Sequence, residues 1–222
     1  RGERIMKLRT AFAAGMAVIG IAAVAGGPAD AASSSGPACP AREELFVSRM
    51  PDDMMVSIPN KFFTPDDEIP KGVGMFTDPR IDGGLALIHK IRDAKGEVVG
   101  FGSQLETMHA DEQGKLALDW ETSWTVILPG RGNIFLHEVE RPVALFNAIQ
   151  RAKKEPQPWH GKIEHRTTAG PREDGRGVIV GGTGEFVNCT GSFIEVDLFD
   201  RTDPANPMGI GGSIELRLRF GS

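Results

Sequence analysis

The chain has no tyrosine and only two cysteines among its 222 residues. The first absence excludes a mechanism built on a tyrosine acid, base or radical. The second excludes a cysteine-based zinc cluster and a multiply stapled miniprotein. Basic residues are outnumbered, 25 Lys and Arg against 30 Asp and Glu. The chain therefore lacks the positive balance that duplex nucleic acid asks of a partner. The five histidines stand at 89, 109, 137, 160 and 165, and no two have His-x-His or His-x-x-x-His spacing. No metal site and no cofactor are expected from that pattern. The Gly-x-Ser-x-Gly elbow of serine hydrolases is also missing.

What is present begins with an address. Met6 is followed by Lys7 and Arg9, an apolar run from Ala11 to Gly27, and Ala29-Asp30-Ala31. This is the three-part pattern of a bacterial-type secretory signal, with cleavage expected after Ala31 and residues 1–5 lying upstream of the start. The expected organisation is 1–31 signal, 32–44 flexible leader and 45–222 a single domain. An exported, acidic protein with no membrane attachment after cleavage follows. Export permits a disulfide, so Cys39 and Cys189 are expected to pair; the alternative is two free thiols.

The domain itself reads as all-β. Leu116, Leu118, Trp120, Thr122, Trp124, Val126 and Leu128 alternate with Ala117, Asp119, Glu121, Ser123, Thr125 and Ile127, a strict period of two. Ile214, Leu216, Leu218 and Phe220 repeat the signature, as do Leu85, Leu87, His89 and Ile91. Further strands are expected at 97–109, 132–141, 176–187 and 191–200. The stretch 62–84 reads as loop, and 45–58 as short strand pieces broken by Pro51. About eight strands joined by short turns close most naturally into an antiparallel barrel or a sandwich. One segment, 143–154, has helical spacing, with Pro142 before it and Pro156 and Pro158 after it. It is read as an inserted helix that either caps a barrel mouth or packs on the outside.

Gly181-Gly182-Thr183-Gly184 opens no helix and is followed by no lysine, so it is a bend in a barrel wall, not a phosphate loop. With Val178-Ile179-Val180 before it, Phe186 after it and Gly191 five residues beyond, the segment resembles the late-strand signature of the allene oxide cyclase and dirigent barrel superfamily. Gly100-Phe101-Gly102-Ser103-Gln104 is similar to the glycine-rich strand of those families. Gly72-Val73-Gly74-Met75-Phe76 onward resembles bacterial barrel cyclases of spirotetronate and polyether pathways. The resemblance covers about residues 72–222 outside the helical insert. It implies an eight-stranded barrel that holds a reactive, unsaturated molecule in one conformation without a cofactor. Homodimers or homotrimers are the assemblies it implies.

Strand parity supplies the candidate site. Trp120, Thr122 and Trp124 share the apolar face of the best strand and are candidate substrate contacts. Gln104, with Phe101 on the same glycine-rich strand, is another. His89, Glu106 and His137 are the candidate acids or bases. Each has a plainer reading, as core aromatic, satisfied histidine or solvated charge. Three functions stay open: an exported cyclase or isomerase acting on an unsaturated polyketide- or lipid-like molecule, a non-catalytic dirigent-like or carrier barrel, and a structural module with a filled core.

Overall fold

The computed structural model describes residues 39–58, 84–107, 119–202 and 209–221. The expected signal, most of the leader, the loop after residue 58 and the first residues of the long alternating run lie outside the described residues.

The strands are β1 (Arg42–Met50), β2 (Met54–Ile58), β3 (Gly84–Arg92), β4 (Val98–Thr107), β5 (Trp120–Leu128), β6 (Gly132–Glu140), β7 (His160–Arg166), β8 (Thr168–Gly170), β9 (Gly177–Gly182), β10 (Gly191–Thr202) and β11 (Ile210–Phe220). One helix, α1 (Val143–Ala152), is inserted after β6. Neighbours pair antiparallel in the order β1-β11-β10-β9-β6-β5-β4-β3, and Val47 opposite Arg92 joins β1 back to β3. The result is a closed eight-stranded barrel. Short β8 pairs with β6 beyond the point where β9 stops, so the two fill one position in the wall. β2 continues along the edge of β3 that β1 meets only at Arg92, and β7 along the edge of β10 beyond the point where β9 stops.

Closure sets every inward side chain by parity. On β5 these are Trp120, Thr122, Trp124, Val126 and Leu128, as the alternation predicts. The ring divides into two ends. The apolar end holds Val126, Leu128, Ile134, Phe186, Phe193, Leu218 and Phe220. Arg42 lies over the Phe186 and Phe220 rings at 5.2 and 4.6 Å, and Glu44 ties it to Arg131, which also covers Phe186. The expected Cys39–Cys189 bond is present here and spans 150 residues.

The Gly-Gly-Thr-Gly bend closes this end against the β5–β6 turn. Gly184 has φ +63, and a Cβ there would sit 2.2 Å from the Arg131 carbonyl oxygen. The chain therefore leaves the expected 176–187 strand after Gly182 and makes a short 3-10 turn at Gly184–Phe186, which drops Phe186 into the core.

α1 is amphipathic, with Leu145, Ile149 and Ala152 buried, and Pro142 precedes its first turn. Leu145 and Ile149 belong to the barrel's own core cluster, and the Phe146 ring lies 5.5 Å from inward-facing Trp120. The helix thus covers the end of the barrel opposite the disulfide. Segment 160–166 lacks apolar alternation, yet it is strand β7, largely exposed and paired with β10.

Replacing both cysteines by serine is expected to lower stability by at most about 4–5 kcal/mol, the chain-entropy value for so long a loop. The urea midpoint of the double variant against the oxidised chain measures it. An unchanged midpoint would mean that the apolar end holds without its covalent tie.

Candidate functional site

The opposite end of the barrel is lined by carboxyl groups. The register places Glu106 opposite Thr122 and Thr122 opposite Glu138, with Trp120 opposite Glu140 one step further out. From β10, Glu195 and Asp197 face inward beyond Phe193. All five carboxyl residues are buried, and no lysine or arginine is buried among the described residues.

Neutral donors hold the cluster. The Thr168 hydroxyl donates to Glu138 Oε2 at 2.5 Å and itself accepts the Glu195 backbone N–H at 2.6 Å. Trp124 Nε1–H donates to Glu195 Oε2 at 3.0 Å, and Gln104 Nε2–H to Glu140 Oε1 at 3.3 Å. One oxygen from each of Glu138, Glu140 and Glu195 lies within 4.8 Å of the others. Glu138 Oε1, Glu106 Oε2 and Asp197 Oδ1 are buried without a hydrogen-bond partner.

Burial sets the protonation of these groups, and their mutual repulsion adds to it. Burial pushes the Glu140 carboxyl up to about 7. Glu106, Glu138, Glu195 and Asp197 are driven well above the ordinary carboxyl range, again by burial first and then by neighbouring carboxylates. Such groups keep their protons to higher pH than exposed carboxyls do. His89 is the converse. Burial lowers it to about 4, against a hydrogen bond with Gln104 and the charge of Asp53, so its ring is neutral. Ser48 Oγ lies 3.0 Å from its Nδ1, and the Trp124 indole stands 5.1 Å away.

The barrel thus brings together six of the expected residues: His89, Gln104, Glu106, Trp120, Thr122 and Trp124. Two are placed elsewhere. His137 faces outward on β6, 3.3 Å from Glu121 Oε2. Phe101 faces outward on β4 and is 46% exposed. The inward face of β6 is Ile134, Leu136, Glu138 and Glu140. Phe135 and Val139 make the outer face look equally apolar, which is why parity misassigned His137. The same error hid Glu138 and Glu140. Glu195 and Asp197 are hidden in the same way on β10, where the outward face carries Ile194, Val196 and Leu198 and the inward face carries the two carboxyls between Phe193 and Phe199.

No family model matches the chain, and no curated protein matches its sequence. Among the described residues no helix is long and apolar enough to cross a membrane, and the cysteine pair is compatible with an extracellular protein.

The carboxyls bind protons more tightly in the folded chain, so their contribution to stability falls as pH rises from about 4.5 through about 7 and beyond. His89 opposes this: its contribution grows as pH rises from about 4 to 6.5. Five carboxyls outweigh one imidazole. Thermal unfolding in chelator is expected to show a midpoint that drops between about pH 5 and 8. Glu138→Gln should flatten that profile, raising the midpoint more at pH 8 than at pH 5. A wild-type profile that rises toward pH 8 would contradict this protonation assignment.

Proposed function

We propose that the protein is an exported cyclase or isomerase, using buried carboxylic acids to guide ring closure in an unsaturated polyketide- or lipid-like molecule. The observation that carries this reading is the carboxyl cluster at one end of a closed barrel. A structural core has no use for five buried carboxyls, each of which opposes folding when ionised. Sites that break the rules of core composition are where function is expected.

In this reading a protonated carboxyl, Glu106 or Asp197, donates to a substrate oxygen such as an epoxide or carbonyl. A neighbouring carboxylate takes a proton from the adjacent carbon as the ring closes. Trp120 and Trp124 supply the apolar contact that fixes the conformer. Gln104, Thr122 and neutral His89 position these groups. The barrel's own groups supply the acid and base, so the bond-making step calls on no organic cofactor. The resemblance to allene oxide cyclase and dirigent barrels supports the same reading, and the signal pattern at 1–31 supports export.

A homodimer or homotrimer fits the outer wall. Ile88, Phe101 and Leu105 are exposed as neighbours on β3 and β4, and exposed Phe135 lies two strands on, beyond Thr125. This accounts for Phe101 outside the barrel. Size-exclusion chromatography with light scattering should find an oligomer that Phe101→Asp with Leu105→Asp converts to monomer. A monomeric wild type would end the oligomer assignment.

One observation favours the structural-module reading: Trp120, Trp124 and His89 are each buried to 3% exposure or less, so the axis is filled at their level. The two readings separate in one assay. Polyunsaturated epoxides and polyene esters would be incubated with the chain and the products analysed by chiral chromatography with mass detection. Ring closure that Glu106→Gln slows by about 10²- to 10⁴-fold, the usual worth of a general acid, supports catalysis. No product and no change in tryptophan fluorescence with any of them would favour the filled module.

A further inference from the structure

We propose that Glu138, Glu140 and Glu195 form a binding site for one hard divalent cation, with Ca2+ the expected ion.

The first argument is geometric. Three carboxyl oxygens, one from each residue, lie within 4.8 Å of one another. Ligands on one Ca2+ ion are at most roughly twice 2.3–2.6 Å apart, so three oxygens this close can share one ion. Mg2+ demands stricter octahedral geometry and gives up its waters reluctantly, so a buried all-protein carboxyl site suits Ca2+ better.

The second concerns what surrounds the three. Thr168, Gln104 and Trp124 each donate to one of these carboxyls. These donors are neutral. They fix the orientation of the oxygens without cancelling charge, which is the arrangement found behind ligating carboxylates.

The third is independent of the three. Glu106 and Asp197 face the same interior from β4 and β10, are more than nine-tenths buried, and each leaves one oxygen without a partner. Glu138 Oε1 is likewise without one. Hard cations take six to eight oxygens, and these supply further ligands. No lysine or arginine is buried among the described residues to serve instead, and buried His89 is neutral.

The site goes beyond the proposed reaction and is tested without a substrate. Its readout is ion binding and not turnover, so failure of either proposal leaves the other standing.

The experiment is calorimetric titration of chelator-treated, folded protein at pH 7.5 with Ca2+, Mg2+ and Mn2+, paired with thermal unfolding. One Ca2+ per chain is expected, with Kd near or below about 10⁻⁴–10⁻³ M, the range of extracellular sites. A rise in Tm of roughly 5 °C is expected at saturating Ca2+. Mg2+ should bind more weakly. Glu138→Gln and Glu140→Gln, which remove a buried charge and should fold at least as well, are expected to abolish the Ca2+ response. Glu43→Gln, on the exposed surface, should leave it intact. No heat and no Tm shift with any of the three cations would overturn the site and leave protons as the only counter-charge. Undiminished Ca2+ binding in both buried variants would place the ion elsewhere and overturn the assignment equally.

Discussion

The constraint on which this molecule turns is a group of carboxyls with no lysine or arginine beside them inside a closed barrel. Closure makes their burial unavoidable. Once Ile134 and Leu136 face the core, Glu138 and Glu140 must follow them inward, because a strand alternates with a period of two. The same holds for Glu195 and Asp197 beyond Phe193 on β10. No single carboxyl can swing to solvent without breaking register with both neighbouring strands. The chain therefore needs a positive partner at this end, either a proton on most of the groups or a cation between them.

The rest of the barrel supplies the stability that such an end spends. Its opposite half is an apolar plug of Phe186, Phe193, Phe220, Leu128 and Leu218, tied by Cys39–Cys189 and covered by Arg42 and Arg131. Trp124 joins the two halves. Its ring packs in the core cluster beside His89, while its N–H reaches Glu195. A change at Trp124 thus acts on packing and on the carboxyls together, whereas a change at Phe193 acts on packing alone.

Much of the barrel was legible in the sequence because alternation survives closure. β3, β4, β5, β10 and β11 stand where the period-two runs place them, and the helix begins after Pro142 as its spacing predicts. The Gly-Gly-Thr-Gly bend was legible as a bend because glycine at positive φ has few other uses. The site was legible on β4 and β5, where inner and outer faces differ in polarity. It was illegible on β6, whose outer face carries Phe135 and Val139 and whose inner face carries two glutamates. There the usual rule, apolar inside and polar outside, is inverted over the last four residues. An interior lined with carboxyls inverts the pattern by which an interior is recognised.

The donors around the cluster bear on what kind of positive partner it takes. An arginine or lysine among them would have fixed the carboxylates as permanent anions in an ion pair, inert toward proton transfer. Thr168, Trp124 and Gln104 hold the oxygens in place and leave their charge open. Asp53 shows the contrast within the same chain. Burial acts to raise it, but Arg92, the Arg49 backbone N–H and Lys90 bind it and hold it at about 2, so it stays ionised and structural. The interior carboxyls have no such partners and respond to whatever cation or proton donor arrives. The groups open to such a partner accordingly lie at the end beneath α1, where Trp120 meets Phe146, and not at the apolar end below Trp124.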